Sequence, residues 1–426
     1  MYEYTFISKQ KSKNLHLIHS WGGGLECWVN DFCARDFFSE NLILLSNSND
    51  DYYGTGLTLI EGRSQRVIQS WVFKDPIQSS RIHHEEYHAV LTEICTDYDV
   101  KHIYVSSSIG HSLDVYHMGI PITKIWHDYY PFCVAYHAYF KNVCKMCNYS
   151  KLETCLKENP IISGSHRDPP EHWLKLRDAF FAALNQQNVQ IVCPSSSVIR
   201  IMRQLDDRYK QLNFRIIEHG TNFNYIDLFG GAQEGRRLRI GIIGNLQYTK
   251  GFEIIKRIFP VARLIADFYF VGTCSDSQEF AHRWGSVNHG SFRRFDLTTL
   301  LSEYRLDLAL FLSIVPETFC FTLSEVLAHN IVPCAWSVGS FVDRLKNEYN
   351  GFLIGPEDDD LIKFLLKVDQ NRELVRKVAR NIKNQPVRTN DMMIDDYYSN
   401  RPEYFDQLSD RLEIISENLA ELPGAS

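Results

Sequence analysis

The sequence lacks the features that would assign it at once to several large classes of protein. Its 426 residues contain no apolar run of the roughly eighteen residues that a membrane-spanning helix needs. The first residues, MYEYTFISKQKSKN, are polar and hold no apolar stretch of the kind that marks a secretion signal. Internal repeats and low-complexity tracts are also missing, so neither a solenoid nor a disordered segment is indicated. A cytoplasmic protein is therefore expected.

An excess of positive charge is missing as well. The chain has 45 Lys and Arg against 52 Asp and Glu, for a formal net charge of −7 at pH 7. A dedicated nucleic-acid-binding protein needs a basic stripe that neutralises phosphates, so no nucleic-acid partner is expected. With 44% hydrophobic residues, the chain is long enough for two domains, each with its own core.

The cysteine pattern does not indicate a disulfide framework. The eleven cysteines are an odd number and most lie in apolar segments, which is typical of reduced core thiols. One cluster is different, because Cys133, Cys144, Cys147 and Cys155 lie within one stretch, and the two-residue spacing of Cys144 and Cys147 suits tetrahedral zinc. The cluster predicts either a closed structural zinc site, without a catalytic role, or four reduced thiols without a metal.

Apolar runs typical of strands alternate with helical patterns along the whole chain, which indicates an α/β protein with parallel sheets wrapped by helices. A first unit begins at the apolar run 15–19. A second begins at 238–243, after the glycine-rich polar segment 230–237, which has the composition of a linker. We therefore predict two Rossmann-like domains, one over residues 1–229 and one over residues 236–397.

Two carboxylates, Glu317 and Glu325, bracket a predicted loop-to-helix transition. The run 308–312 is continuously apolar, as in a strand buried on both faces, and Pro316 ends it. Helix N–H groups at a strand's carboxyl end favour phosphate, and carboxylates accept hydrogen bonds from sugar hydroxyls. The pattern therefore favours a nucleotide-sugar ligand, although on spacing alone the two acids could equally belong to a solvated helix face.

Glu317 and Glu325, with seven residues between them, resemble the donor-site signature of retaining glycosyltransferases of the GT-B fold, glycosyltransferase family 4 in particular. The flanking segments 316–319 and 338–340, with Asp343 and Arg344, resemble the branch of that family that assembles bacterial surface polysaccharides, including lipopolysaccharide. The resemblance implies two Rossmann-like domains whose parallel sheets face a central cleft, an N-terminal one for the acceptor and a C-terminal one for the donor. It also implies that a terminal helix, 398–426, returns to the first domain.

The resemblance further implies a metal-independent reaction in which Lys250 neutralises the donor's diphosphate. Asn245 is a departure, because many members carry arginine at that place. Glu317 would hold the donor's sugar and Glu325 its ribose, with Glu317 and Lys250 counted as catalytic. The donor-binding residues expected on this basis are Gly23, Gly24, Asn245, Lys250, Gly272, Phe319, Cys320, Phe321, Thr322, Leu323 and Glu325.

The segment 126–133 resembles the family's block of a histidine, an aspartate and aromatic residues. The resemblance implies that His127 lies beside the reacting carbon of the donor sugar and binds it through a hydrogen bond, as the third catalytic residue. Tyr129 and Tyr130 suit stacking against an acceptor sugar, and buried packing explains them equally well.

A peptidase is the alternative suggested by His84-Glu85-Glu86-Tyr87-His88, which spells a zinc-protease pattern. We disfavour it because no third ligand is evident. The sequence therefore predicts a retaining glycosyltransferase that uses a UDP-, GDP- or dTDP-sugar and a free or lipid-linked glycan, with possible contact at the inner membrane face. The alternative from another class is a non-catalytic protein of the same fold that binds a sugar nucleotide or glycan.

Overall fold

The computed structural model describes residues 11–49, 53–162, 168–274 and 286–399. The helix predicted over 398–426 lies, beyond Ser399, outside these residues. The described strands are β1 (Ser12–His19), β2 (Ser39–Ser48), β3 (Tyr53–Glu61), β4 (Val67–Val72), β5 (Val100–Val105), β6 (Ile122–Ile125), β7 (Tyr139–Phe140), β8 (Asn142–Val143), β9 (Val189–Cys193), β10 (Phe214–Ile216), β11 (Leu238–Ile243), β12 (Ala266–Val271), β13 (Val287–Gly290), β14 (Leu308–Phe311), β15 (Val332–Trp336) and β16 (Phe352–Ile354).

Helices alternate with these strands through most of the chain. The described α-helices are α1 (Gly24–Arg35), α2 (Glu85–Asp97), α3 (Tyr149–Glu158), α4 (Pro170–Leu184), α5 (Ser196–Leu205), α6 (Phe252–Ala262), α7 (Leu297–Tyr304), α8 (Phe321–Ala328), α9 (Phe341–Arg344), α10 (Asp358–Gln370), α11 (Arg372–Lys383) and α12 (Asn390–Tyr398). None of the helices in the described ranges is long and apolar enough to cross a membrane.

The chain divides into two compact units. The first contains residues 1–125, 178–192 and 390–426, and the second contains residues 126–177 and 193–389. This division differs from the domain boundaries that the sequence suggests, because much of the chain before residue 229 belongs to the second unit.

The segment 230–237 shows why its linker-like composition is misleading. Arg236 donates to both carboxylate oxygens of Asp307, at 2.7 and 2.8 Å, and the backbone N–H of Ala232 donates to the same carboxylate at 2.7 Å. The Asp307 side chain is fully buried, so the pair needs these hydrogen bonds to offset its desolvation. The segment is therefore fixed against the second unit.

The sheet of the first unit is parallel over most of its strands, as expected, and has an antiparallel edge. Its strands lie in the order β9-β6-β5-β1-β2-β3-β4. The pairs from β9 to β2 are parallel, whereas β2 with β3 and β3 with β4 are antiparallel. The edge strand β4 is largely exposed, so it lacks the continuous apolar run of a buried parallel strand.

Helix α12 belongs to the first unit, and buried polar contacts attach it there. The Tyr398 hydroxyl donates to Asp36 Oδ2 at 2.7 Å and accepts from Asn14 Nδ2 at 2.9 Å. The indole N–H of Trp28 on α1 lies 3.0 Å from Met393 Sδ. The chain therefore returns to its first unit before residue 399.

The sheet of the second unit is entirely parallel, with the order β13-β12-β11-β14-β15-β16. Counted along the chain this is 3-2-1-4-5-6, the doubly wound order in which ligands bind where the strand order reverses. One core cluster joins the sheet to α6, α10 and α11, and another joins it to α7, α8 and α9. The reversal lies between β11 and β14, and both strands are followed by loops that carry predicted site residues.

Candidate functional site

A small cavity lies at the carboxyl ends of β11 and β14, where the strand order of the second unit reverses. Its volume is about 80 Å³. The loop after β11 contributes Gly244, Asn245 and Lys250, and the segment after β14 contributes Ser313 and Glu317. Because neighbouring parallel strands end at one edge of a sheet, residues far apart in sequence meet here. We call this the Lys250–Glu317 cavity.

A charged pair forms the centre of the cavity. The Lys250 ammonium donates to Glu317 Oε1, and the hydroxyl of Ser313 donates to the same oxygen at 2.8 Å. The Lys250 side chain keeps 41% of its surface exposed while that of Glu317 keeps 14%, so the ammonium is the member that an incoming ligand can reach. Ser313 was not predicted, although its place directly after the apolar run of β14 is a signal that could have identified it.

The electrostatics of the pair depend on burial and on the opposite charge. Burial lowers the pKa of Lys250, but the Glu317 carboxylate outweighs burial and raises it above its usual value. Burial raises the pKa of Glu317, but the Lys250 charge and hydrogen bonds bring it below its usual value. Both groups are therefore charged at neutral pH.

His137 is a third titratable group beside this pair, and no sequence motif identifies it. Burial lowers its pKa to about 4, Glu317 raises it, and Lys250 lowers it. The imidazole is therefore neutral at neutral pH and adds no second positive charge to the cavity.

The loop that carries Lys250 is held close to β14 by its backbone. Gly251 has φ +88°, and an added Cβ would clash with the carbonyl oxygen of Leu312. The backbone N–H of Ile314 donates to the Thr249 carbonyl at 3.0 Å, and the Ser313 hydroxyl oxygen lies 3.1 Å from the same carbonyl oxygen. These contacts fix the position of Lys250 relative to the segment that carries Glu317.

A tight turn joins Glu317 to helix α8. Cys320, at the N-cap of α8, has φ +66°, a conformation that costs free energy in a residue with a side chain. The half-buried Arg344 guanidinium offsets this cost, because it donates to the carbonyls of Phe319 and Cys320 at 2.7 and 2.9 Å and to Ser324 Oγ at 2.6 Å. Arg344 was noted only as part of a flanking segment, and its carbonyl partners could not be read from the sequence.

Gly339 supports the same turn from the other side. Its φ is +59°, and an added Cβ would lie 2.5 Å from the backbone nitrogen and 2.7 Å from the carbonyl oxygen of Glu317. The next residue, Ser340, donates its N–H to that carbonyl at 2.8 Å. The backbone at Glu317 therefore leaves no room for a side chain at position 339.

We expect Gly339→Ala to lower the free energy of unfolding by about 2–4 kcal/mol, because it adds a backbone clash to the cost of a left-handed conformation. The matched control is Gly235→Ala, since Gly235 also has a positive φ, +78°, but an added Cβ there meets no atom within 4 Å. The control should cost only about 1 kcal/mol. Urea denaturation of both variants measures the difference, and equal losses would contradict the importance of the contact with Glu317.

His127 lies next to the turn but not in the cavity lining. The Thr318 hydroxyl donates to the His127 carbonyl at 2.7 Å. The backbone of His127 therefore contacts the residue that follows Glu317. The His127 ring stacks on that of His219 at 5.0 Å, and His219 stacks on Phe321 at 5.2 Å. The structure thus places His127 beside the segment that carries Glu317, in a stack of rings with the start of α8.

The other predicted donor residues of the second unit are distributed around the cavity. Asn245, Cys320 and Thr322 line it, whereas Glu325 does not. Glu325 is buried and accepts a hydrogen bond from Arg294 Nε at 2.8 Å, so one of its oxygens already has a cationic partner.

The remaining donor predictions concern backbone and core positions. Gly272, with φ +142°, lies where an added Cβ would overlap the carbonyl of Gly244, so it permits close approach of two loops. Phe319 and Leu323 are buried, and Phe321 is half-buried. Any contact of these positions with a ligand is therefore expected through their backbone.

Tyr129 and Tyr130 are core residues, which corrects their assignment to an acceptor sugar. They are 1% and 0% exposed. The Tyr129 hydroxyl donates to the carbonyl of Pro316 at 3.3 Å, and the Tyr130 ring packs against Tyr136 and Trp173. A ring enclosed in this way has no free face for a sugar, so buried packing is the explanation of these aromatics.

The glycine-rich loop before α1 lies in the first unit. Gly22 and Gly23 have φ +75° and +82°, and Gly23 is the N-cap of α1, which begins at Gly24. A Cβ at Gly23 would meet no atom within 4 Å. The glycines at 22 and 23 are thus required by the backbone conformation of a strand-to-helix turn rather than by close packing.

The zinc-protease pattern does not form a metal site. His84 is the N-cap of α2, where its Nδ1 accepts from the Tyr87 N–H at 3.1 Å and its Nε2 lies 2.8 Å from the Asp75 carbonyl. Both ring nitrogens are therefore engaged in local hydrogen bonds, and the alternative of a peptidase is not supported.

The four clustered cysteines lie together in the second unit, and all eleven cysteines are free thiols. Cys133, Cys144, Cys147 and Cys155 line one cavity of about 520 Å³. Burial, and then the charges of the neighbouring thiols, raise the pKa of Cys133 and of Cys144, the latter to about 12. In the described residues no group of three or more His, Cys, Asp or Glu side chains stands in an arrangement that could hold a metal ion.

No family model and no curated protein sequence matches the chain. Solved structures do match. Sucrose-phosphate synthase from Thermosynechococcus elongatus has a TM-score of 0.65 at 12% identity, over 93% of this chain and 100% of that chain. HepE from Anabaena, in complex with UDP and glucose, has a TM-score of 0.57 at 16% identity, over 96% and 100%. The lipopolysaccharide outer core galactosyltransferase WaaB has a TM-score of 0.53 at 10% identity, over 93% and 99%. With the two α/β units, these similarities establish that the chain has the GT-B fold, as predicted.

Proposed function

We propose that this protein is a retaining glycosyltransferase, related to glycosyltransferase family 4, that moves a sugar from a nucleotide-sugar donor to a hydroxyl of a glycan. The observation that carries the proposal is the Lys250–Glu317 pair at the strand-order reversal of a doubly wound sheet. Ligands of such sheets bind at this place, and a cation next to a carboxylate suits a ligand that has both phosphate and hydroxyl groups. The GT-B fold, shared with a structure that holds UDP and glucose, supports it.

The proposed roles follow from which side chains a ligand can reach. The exposed Lys250 ammonium binds the donor's diphosphate, together with the backbone N–H groups at the start of α8, and stabilises the charge that develops as the sugar departs. Glu317 accepts hydrogen bonds from the sugar hydroxyls, and His127 contacts the reacting face of the sugar. We assign the acceptor's proton to the leaving phosphate, in a front-side displacement that needs neither a protein nucleophile nor a metal.

The biological setting that we propose is the assembly of a bacterial surface polysaccharide, of the O-antigen or capsule type, in the cytoplasm. The acceptor would be a glycan or a lipid-linked glycan at the inner face of the membrane. The sequence resemblance at 316–319 and 338–340 supports this setting, and the acceptor test should therefore include both lipid-linked and free glycans.

A panel of UDP-, GDP- and dTDP-sugars tests the proposal directly. We expect one nucleotide class to be released in the presence of acceptor, and NMR of the product to show the same anomeric configuration as the donor. Release of nucleotide without transfer of the sugar would indicate that the protein hydrolyses the donor. A product with the inverted anomeric configuration would exclude the retaining mechanism.

A non-catalytic binding protein is the second candidate, and Asn245 is the observation that favours it. This exposed, neutral residue lines the cavity, so Lys250 is the cationic side chain among the described residues of the cavity lining. A binding protein would show a higher melting temperature with a sugar nucleotide and release no nucleotide with any glycan acceptor. Turnover with one donor and acceptor pair excludes it.

A further inference from the structure

The cavity lined by Cys133, Cys144, Cys147 and Cys155 lies outside the Lys250–Glu317 cavity, and the proposed function does not use it. The four cysteines approach it from separate pieces of backbone. Cys133 follows the buried aromatic segment, Cys144 and Cys147 follow the hairpin of β7 and β8, and Cys155 lies on α3. The four sulfurs come from three backbone segments and surround one cavity. A group bound to all four would therefore join the three segments to one another.

Two of the four sulfurs have polar side chains directed at them. Arg177 Nη2 and Asn159 Nδ2 lie 3.3 Å from the sulfurs of Cys147 and Cys155, respectively. The Cys144 thiol lies 4.0 Å from the Asn142 carbonyl, its acceptor. Donors directed at sulfur orient thiolate ligands and stabilise their negative charge, as the second shell of a metal–thiolate site does.

The charge around the cavity is complementary to a group of thiolates. Lys145, Lys151 and Arg177 line it, and no Asp or Glu is among the described residues of its lining. Arg177 is only 3% exposed, and its guanidinium donates to the Phe132 and Cys147 carbonyls at 2.7 and 3.0 Å. The Asp206 carboxylate is close enough to interact with this guanidinium, and a second anionic centre at the sulfurs would further lower the cost of its burial.

The backbone between Cys144 and Cys147 has the shape of a ligand loop. Met146 has φ +47°, so the chain reverses within the two-residue spacer and both sulfurs can turn to the same side. The N–H groups of Met146 and Cys147 donate to the carbonyls of Gln204 and Leu205, at 2.9 and 3.2 Å. The loop is thereby anchored at the end of α5.

We propose that Cys133, Cys144, Cys147 and Cys155 bind one structural zinc ion. Binding forms four zinc–sulfur bonds and releases the four thiol protons to solvent, which leaves a centre of net charge −2 beside Arg177, Lys145 and Lys151. The thiols do not yet stand in a metal-holding arrangement, so the side chains turn toward a common centre when the ion binds. The soft thiolate set selects zinc over magnesium or calcium.

The zinc site would stiffen the segment that contacts the turn at Glu317. Cys133 follows Tyr129, whose hydroxyl donates to the Pro316 carbonyl, and His127, whose carbonyl accepts from Thr318. The metal would therefore stabilise the segment that supports this turn and would not contact the sugar donor. Its role is structural.

The test is the metal content of the full chain, purified without chelators under reducing conditions and reconstituted with zinc chloride. We expect about one zinc per chain by mass spectrometry of the metal. We also expect the number of thiols that react with a disulfide reagent to fall by four when zinc is present, and the ion to be released to a chromogenic chelator when a mercurial blocks the thiols. The double variant Cys144→Ser, Cys147→Ser should lose the ion, whereas the control Cys95→Ser, in α2, should keep it.

Three outcomes overturn the proposal, and two of them need only the unaltered protein. They are a zinc content far below one per chain after reconstitution, zinc that protects none of the thiols, and a double variant that retains its zinc. Because the measurements do not use turnover, a failure here is distinct from a failure of the proposed sugar transfer.

Discussion

Replacing Lys250 with alanine should lower kcat for sugar transfer by about a hundred- to a thousandfold, the loss that follows removal of one preorganised donor to developing charge. Lys250 is the side-chain cation of the cavity lining in the described residues, so no second ammonium or guanidinium there can take its place. Charge on the leaving diphosphate grows as the bond to the sugar breaks. The loss should therefore appear mainly in kcat, and KM for the donor should change much less.

The control for this experiment is Lys256→Ala, because Lys256 is exposed on α6 in the same unit and outside the cavity. It makes the same change of net charge and should leave both kinetic constants within about twofold. Initial rates over a range of donor concentrations separate the two parameters. An unchanged kcat in the Lys250 variant would remove Lys250 from the reaction and favour the non-catalytic binding protein.

The architecture of the second unit could be predicted because its signals are local. Strands β14 and β15 are short apolar runs buried on both faces, and β11 and β12 are mostly apolar and buried. Such runs identify central parallel strands without further information. Lys250 and Glu317 were identified by their resemblance to a family's donor site, and each lies in the segment that follows one of these strands. The two residues are 67 positions apart in sequence, and the strand order alone brings them together.

Features that depend on tertiary contacts could not be predicted. Strands β3 and β4 form an antiparallel edge whose exposed residues give no apolar run. The segment 230–237 has the composition of a linker, and only the buried Asp307 that it contacts shows otherwise. The sequence around Tyr129 does not tell whether its ring is buried or exposed. In the structure the ring is buried, which argues against the acceptor role.

The residues that complete the site were missed for the same reason. The residues around His137 in the sequence do not mark it as a site residue, and its proximity to Lys250 and Glu317 arises only when the chain folds. In the sequence, Arg344 is only a neighbour of a motif. In the structure, its hydrogen bonds to two carbonyls make it part of the turn that positions Glu317. Sequence therefore identified the charged pair, and the structure identified the residues that hold it in place.

Replacing Glu317 with glutamine should shift the pH dependence of transfer, because Glu317 raises the pKa of Lys250 against the effect of burial. Without the carboxylate, burial lowers the pKa of Lys250 and only the effect of Cys320 opposes it, so the pKa falls. The ammonium form that binds the diphosphate then loses its proton at a lower pH than in the unaltered protein. The alkaline limb of kcat against pH should therefore move toward neutrality.

His137 does not produce the same shift. Its pKa of about 4 is already far below neutrality, and loss of Glu317 can only lower it further, so the imidazole stays neutral in both proteins. The control is Glu253→Gln on the exposed side of α6, which makes the same change of charge away from the cavity and should leave the profile in place. Lower activity of Glu317→Gln with an unshifted alkaline limb would mean that Glu317 binds the sugar without tuning Lys250. A limb that moves to higher pH would contradict the coupling of the two charges.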